Sequence, residues 1–182
     1  LYVKYNSVLR SAGGEPTMVA RAAELCDGNR YSATLYVLLA AISRVAKLSP
    51  PATVYRAPGG ALPASFWRQH SDGCQGGLEL GFLSATTNKA EAMRYARRAP
   101  GMILLEVQQG FVARGASIAW LSQYPTEDEV LLPPLTALEV VGTRIEGAIV
   151  LVEIRPSVVP GRPWVSTGAD DLAAAVARRE AE

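Results

Sequence analysis

The apolar positions in the first fifty residues follow a helical period. Ala, Leu and Val dominate this part, and a spacing of about 3.6 residues fits the pattern better than strict alternation. Three helices are therefore predicted: a short one over "YNSVLRS", one through "TMVARAAELC", and one from about Tyr31 to Lys47. Pro16 suits the first turn of the second helix, and the third must stop before Pro50.

Beyond residue 51 the pattern changes to short apolar and β-branched segments between turns. Strands are predicted over "ATVYR", "LELGFLSATT", "GMILLEVQQG", "EVLLPP", "TALEVVGTRI" and "AIVLVEIRP". A short helix is predicted over "ALPASFWRQH" and a longer one over "NKAEAMRYARRA", which Asn88 and Glu91 open as a capping box. Helices followed by five or six short strands with one inserted helix indicate an α+β domain.

The same pattern divides the chain into parts. Residues 1–50 form a helical part and residues 51–158 a mostly β part, and together they are predicted to be one domain. A Pro/Gly stretch from Val159 leads into "DLAAAVARREAE", so residues 159–182 are predicted to be a linker and a peripheral helix. With 182 residues the chain is long enough for one domain with a sizeable core.

Composition and charge narrow the class of protein. Hydrophobic residues make up 49% and charged residues 19%, which is typical of a globular domain. The formal net charge of +1 gives no basic field for nucleic acid. Cys26 and Cys74 are far apart in the sequence, and His70 is the single histidine, so we expect two free thiols or a disulfide, and no metal site.

The longest apolar run, "TLYVLLAAI", is much shorter than the about 20 residues that a membrane span requires. We expect it to be a core helix and the protein to have no membrane span. The chain begins "LYVKYNS" without an initiator Met, so we expect a monomeric domain of a longer chain. The fragment shows no secretory signal, which favours a cytoplasmic location.

Two glutamates in "YPTEDEVLLPP" are the first candidates for chemistry. In an extended segment Glu127 and Glu129 would point to the same face, about 6.5–7 Å apart. Two carboxylates on one face repel each other unless a cation or ligand sits there. One can stabilise a cationic sugar centre while the other accepts a proton. The alternative is a solvated acidic turn that caps a strand.

Two further candidates end predicted strands. Arg56 in "VYRAPGG" precedes a glycine-bearing loop, which suits a phosphate clamp, although it can equally be a surface arginine. Ser84 and Thr86 end the strand before a helix, where hydroxyls can fix a ribose and the helix N-terminus favours anions. The alternative there is simple capping by Thr87 or Asn88.

The order of these signals resembles the arginine-Ser-Glu class of mono-ADP-ribosyltransferases. "NSVLR" resembles the family's early "N-x-x-L-R" helix, and "VYRAPGG" resembles its "YRG" strand. "GFLSATTNKAEAMRYA" resembles its "F-x-S-T-S/T" strand and helix. "GASIAWLSQYPTEDEVLLPP" resembles its "I-x-x-L-S … E-x-E-V-L-x-P-P" loop and strand, the most specific match. The likeness extends over about residues 5–155.

The resemblance implies a fold of two small, mostly antiparallel sheets around an NAD cleft, with helices at the N-terminal side. It implies that residues 1–158 are a catalytic domain, with NAD as substrate and no metal. ADP-ribose would pass to an acceptor protein, on an arginine side chain, or to a small guanidine.

The resemblance also assigns roles to residues. Arg56 would hold the NAD phosphates, and the backbone at Ala57 would meet the nicotinamide amide. Ser84 and Thr86 would order the ribose and the catalytic glutamate, Glu129, which would stabilise the oxocarbenium-like transition state. In the acceptor loop, Glu127 would deprotonate or position the guanidinium, and Tyr124 would recognise it.

One departure from the family pattern leaves alternatives open. Ala57 stands where the family usually has glycine, and its Cβ would either narrow the nicotinamide pocket or demand a normal backbone angle. A degenerate NAD-binding or interaction module without turnover is therefore an alternative. An NAD glycohydrolase with water as its main acceptor is another, and an unrelated α+β domain is a third.

Overall fold

The computed structural model describes residues 1–69, 74–122 and 128–158. Contacts between Cα atoms divide the chain into two compact units, one beginning at Leu1 and the other at Ala41. Tyr124, Glu127 and His70 lie outside the described residues, as do residues 159–182. The predicted roles of the first two, and the predicted C-terminal linker and helix, therefore remain predictions.

Three helices follow one another in the first part of the chain, as predicted, but the run "TLYVLLAAI" is not the expected core helix, since Ile42 is its only buried residue. They are α1 (Tyr2–Ser11), α2 (Pro16–Cys26) and α3 (Ser32–Leu48). The Glu15 side chain caps α2 by accepting hydrogen bonds from the backbone N–H groups of Thr17 and Met18, at 3.2 and 3.0 Å. Hydrogen bonds from the Thr17 hydroxyl and backbone hold the pKa of Glu15 below its ordinary value.

The second unit is built on one mixed sheet. The eight strands of this sheet lie in the order β2-β7-β8-β4-β1-β3-β6-β5. They are β1 (Thr53–Arg56), β2 (Gly76–Glu79), β3 (Leu83–Thr86), β4 (Ile103–Gln108), β5 (Ala116–Ser117), β6 (Glu129–Leu132), β7 (Thr136–Glu146) and β8 (Ile149–Val158). Among these strands only β4 and β8 pair in parallel. A short 3-10 helix, Ala64–Trp67, and α4, Lys89–Arg98, complete the described elements.

The sheet corrects three expectations. The strands form one continuous hydrogen-bonded order, so a division into two small sheets is not confirmed. The described strands also outnumber the five or six predicted, partly because β5 is too short for any periodicity. The single strand predicted over "LELGFLSATT" is two strands, because a turn at residues 80–82 interrupts it. Glu79 Oε1 accepts a hydrogen bond from Gly81 N at 2.7 Å within that turn.

Apolar residues cover both faces of the sheet. The larger cluster contains Phe66 and residues that alternate along the central strands. Its strand members are Val54, Leu83, Ala85, Ile103, Leu105, Val107, Val130, Leu132, Leu138, Val152 and Ile154. On the opposite face Ala92 and Ala96 of α4 pack in a second cluster with Leu104 and Leu151. This packing anchors α4 on the sheet. In the sequence, α4 begins three residues after the end of β3.

The start of α4 is fixed by a cap that differs in part from the predicted capping box. Asn88 Oδ1 accepts a hydrogen bond from Glu91 N at 3.1 Å, as predicted. The difference lies in Glu91, whose carboxylate pairs with Arg94 at 2.9 Å and does not accept from Asn88 N as a capping box requires. Asn88 N donates to Thr86 Oγ1 at 3.0 Å. The helix cap is thus connected to the last residue of β3.

We expect Asn88→Ala to lower the free energy of unfolding by about 1 kcal/mol, because the helix loses its side-chain acceptor. Asn88→Asp keeps an acceptor at the same place and is the matched control. Urea denaturation followed by circular dichroism measures both. Equal stability of Asn88→Ala and the unmodified protein would show that this cap contributes nothing.

Edge strand β5 is protected on its outer side. The N–H groups of Gly115 and Ser117 donate to Gln109 Oε1 at 2.5 Å and to Ser49 Oγ at 2.8 Å. Side chains thus occupy donors that an edge strand would otherwise offer to another chain. On the other side β5 pairs with β6, whose first residue is Glu129. In the described ranges no helix is both long and apolar enough to cross a membrane.

Candidate active site

Three neighbouring strands bring the candidate side chains together. In the register of the sheet, Thr86 of β3 lies opposite Tyr55 of β1 on one side and Glu129 of β6 on the other. Along β3, Leu83 and Ala85 are buried in the core, while Ser84 and Thr86 are partly exposed on the opposite face. The predicted shared face of these two hydroxyl residues is therefore present.

A chain of hydrogen bonds joins Arg56, Ser84 and Glu129. Arg56 Nη1 donates to the backbone carbonyl oxygen of Ser84 at 3.0 Å. The Ser84 hydroxyl donates to Glu129 Oε1 at 2.6 Å, a short distance typical of a bond to a charged acceptor. Residues that are distant in the sequence thus hold one another in place across β1, β3 and β6.

A second hydroxyl holds the other oxygen of the same carboxylate. Ser122 Oγ donates to Glu129 Oε2 at 3.1 Å. Ile118 N donates to the Glu129 backbone oxygen at 2.9 Å. Both carboxylate oxygens of Glu129 therefore have a fixed donor, so the side chain has a defined orientation.

These groups line a pocket of about 250 Å³. Its walls include Arg56, Ala57, Ser84, Thr86 and Glu129, all of which the sequence predicts for an NAD site. The remaining lining residues are Tyr55, Gly59, Ala85, Glu91, Ala92 and Tyr95. The pocket thus contains an arginine and a carboxylate, Arg56 and Glu129, that are connected through Ser84.

Sequence reasoning missed three polar lining residues: Tyr55, Glu91 and Tyr95. Glu91 and Tyr95 are four positions apart on α4, so they share one helix face, a signal that helical spacing could have supplied. Burial, together with the Glu106 carboxylate, raises the pKa of Tyr55. Tyr55 therefore keeps its hydroxyl proton at neutral pH and can donate it in a hydrogen bond.

The predicted geometry of the glutamate pair needs correction at its middle residue. Placing Glu127 and Glu129 on one face by alternation requires an extended backbone at Asp128. Asp128 instead has a φ of 46°, in the left-handed region, and β6 begins only at Glu129. Alternation along a strand therefore does not apply across Asp128, whose side chain is exposed.

The alanine that departs from the family pattern fits its position. The φ angle of Ala57 is not positive, so its Cβ imposes no backbone strain. Its side chain packs against the cluster beneath α4. The left-handed angle in this loop falls on Gly59, with a φ of 84°. The alanine is thus accommodated without strain in the loop after β1.

Neither cysteine lines this pocket. Cys26, which is buried, and Cys74, which is exposed, form no disulfide. Within residues 1–69, 74–122 and 128–158, no group of three or more His, Cys, Asp or Glu side chains could hold a metal ion.

Solved ADP-ribosyltransferases share this fold. HopU1 of Pseudomonas syringae pv. tomato DC3000 is 24% identical, with a TM-score of 0.62 over 84% of this chain and 65% of that one. The Vis toxin from Vibrio splendidus is 21% identical, with a TM-score of 0.54 over 86% and 67%. A mutant of the eukaryotic mono-ADP-ribosyltransferase ART2.2 in complex with NAD is 17% identical, with a TM-score of 0.53 over 86% and 66%.

The fold and pocket therefore define an ADP-ribosyltransferase domain. The chain belongs to the NAD:arginine ADP-ribosyltransferase family, whose model matches residues 1–157. It spans about two thirds of the length of the solved relatives. Vis has also been solved in complex with agmatine, with a TM-score of 0.52 to this chain. A comparison with curated protein sequences gives no significant match.

Proposed function

We propose that this protein cleaves the bond between nicotinamide and ribose in NAD and transfers ADP-ribose to an arginine side chain. The observation that carries the proposal is the hydrogen-bonded chain from Arg56 through Ser84 to Glu129 at one pocket. This chain places a cation that can bind phosphates beside an oriented carboxylate that can stabilise a sugar cation. These are the two groups that cleavage of NAD requires.

Arg56 is suited to hold the NAD phosphates. Its Nη1 donates to the backbone oxygen of Ser84, and a guanidinium carries five N–H donors in one plane, which suits it to bind a phosphate as well. The Ala57 backbone would meet the nicotinamide amide, and Ser84 and Thr86 would order the ribose. The pocket of about 250 Å³ is smaller than the about 300–1,000 Å³ of typical ligand sites, so NAD would extend beyond it.

Glu129 would stabilise the transition state of the cleavage. When the bond between nicotinamide nitrogen and ribose C1′ breaks, nicotinamide leaves as a neutral molecule and positive charge develops on the ribose. A fixed carboxylate stabilises that charge without having to reorganise. The hydroxyls of Ser84 and Ser122 keep the Glu129 carboxylate in one orientation, so the site is preorganised for this role.

The acceptor would be a guanidinium group. Its nitrogen forms the new bond to ribose C1′ and loses one proton, which requires a nearby base. Glu127 would take or direct that proton, and Tyr124 would recognise the acceptor. Support for a guanidinium acceptor comes from the family description and from the Vis complex with agmatine, a small guanidine.

The alternative acceptor is water, which would make the protein an NAD glycohydrolase. Nicotinamide release and the appearance of ADP-ribosylated agmatine, both followed by chromatography, separate the two reactions. We expect agmatine to divert most of the ADP-ribose into the adduct. We also expect Glu127→Gln to reduce transfer about tenfold more than hydrolysis. The reason is that hydrolysis by water depends less than transfer to a guanidinium on Glu127 as a base.

Glu24→Gln is the matched control for Glu127→Gln, since Glu24 is an exposed glutamate of α2. It should leave both products unchanged. Free ADP-ribose as the sole product at saturating agmatine would support the glycohydrolase. NAD binding by calorimetry without any nicotinamide release would instead support an inactive module.

A further inference from the structure

Ser122 closes a short turn on Glu129. Ile118 N donates to the Glu129 backbone oxygen at 2.9 Å, where the turn begins. Leu121 N then donates to Ile118 O at 2.8 Å. At the end of the turn, Ser122 Oγ reaches the Glu129 carboxylate. Both ends of this five-residue segment are therefore attached to the same residue, one to its backbone and one to its side chain.

The two serines act on Glu129 from different parts of the fold. Ser84 belongs to β3 and donates to Oε1 at 2.6 Å, whereas Ser122 follows β5 and donates to Oε2 at 3.1 Å. With only one donor, the carboxylate could still rotate about the bond that carries it. With a donor on each oxygen, the plane of the carboxylate is set.

We propose that Ser122 is a positioning residue for the reaction, which holds the carboxylate plane of Glu129 toward the sugar cation. This inference rests on the proposed cleavage of NAD. Ser122 does not line the described pocket and acts through Glu129. Its contribution is therefore larger in the transition state, where the carboxylate faces a developing charge, than in the bound ground state.

Kinetics of Ser122→Ala with NAD, alone and with agmatine, test this inference. Losing a hydrogen bond to a charged group that stabilises the transition state should lower kcat about 10- to 100-fold. Because the defect lies at Glu129, hydrolysis and transfer should fall by the same factor. KM for NAD should change by no more than about threefold.

Two further variants distinguish positioning from a structural role. Ser122→Thr keeps the hydroxyl and should restore kcat to within about threefold of the unmodified protein. Ser117→Ala removes a serine hydroxyl from β5, where the structure gives no contact with Glu129, and should leave kcat unchanged. Thermal unfolding of all variants is measured alongside, and Ser122→Ala should melt within about 2 °C of the unmodified protein.

The outcomes separate this inference from the proposed function. If the unmodified protein releases nicotinamide and Ser122→Ala is equally fast, the inference is wrong and the proposed function stands. A loss of kcat that only accompanies a large fall in melting temperature, or that Ser122→Thr does not restore, also overturns it. An unmodified protein without any nicotinamide release overturns the proposed function and this inference together.

Discussion

Glu129→Gln is expected to lower the rate of nicotinamide release at least about 1,000-fold. Glutamine has nearly the same size as glutamate, and its amide can hydrogen-bond both serines, because the carbonyl oxygen accepts from one hydroxyl while the NH2 group donates to the other. The pocket therefore keeps its shape. It carries no charge, however, and the developing sugar cation loses its counterion. Removing a single preorganised electrostatic group from an active site typically costs about 100- to 1,000-fold, and here a full charge is lost.

Release of nicotinamide from NAD, followed by chromatography, measures this effect. Glu24→Gln has the same chemical change on an exposed helix surface and should retain full activity. Both variants should unfold at the temperature of the unmodified protein. A Glu129→Gln protein with more than about a tenth of the original rate would exclude the assigned role of this carboxylate.

Arg56→Lys should lower kcat/KM for NAD about 100-fold, mainly through a higher KM. The Arg56 guanidinium is planar, its Nη1 donates to the Ser84 carbonyl oxygen, and its fork of N–H donors can also bind a phosphate. A lysine ammonium is a compact point charge that cannot reproduce both contacts from one fixed plane. We therefore expect the substitution to weaken both the proposed phosphate contact and the support of the Ser84 backbone.

Arg68→Lys is the control, because Arg68 is exposed and lies outside the pocket. Calorimetric titration with NAD gives Kd for both variants independently of turnover. We expect Kd to rise for Arg56→Lys alone. Unchanged NAD affinity in Arg56→Lys would contradict the assignment of Arg56 to the phosphates.

The positions of the helices and of most strands along the chain follow from local patterns in the sequence. Pro16 and Pro50 delimit helices because each limits the backbone around it, wherever the rest of the chain lies. The strand over Ile103–Gln108 begins with the apolar run "ILL" and is buried almost throughout, since α4 covers one face of the sheet and the main core the other. Such features are local and can be predicted.

Contacts between distant segments are harder to predict. Nothing within "LELGFLSATT" reveals that its first half pairs with β7 and its second with β1 and β6, because pairing depends on residues more than thirty positions away. The contact of Ser122 with Glu129 similarly depends on the turn that begins at Ile118. The sequence suggested Ser84 and Glu129 through a family pattern, but their hydrogen bond is a tertiary feature.

The glutamate pair illustrates the same limit at short range. Alternation along a strand would place Glu127 beside Glu129, but a left-handed residue between them ends that simple rule. Local periodicity assumes a regular backbone, and the start of β6 does not have one. Glu127 therefore keeps its proposed role through the resemblance and the acceptor chemistry, and not through strand geometry.

Mass spectrometry of agmatine after incubation with the protein and NAD tests the central claim most directly. We predict an adduct of agmatine with one ADP-ribose that accumulates as nicotinamide is released, and that is absent when Glu129→Gln replaces the unmodified protein. An unmodified protein that binds NAD but forms neither the adduct nor free nicotinamide would contradict the account.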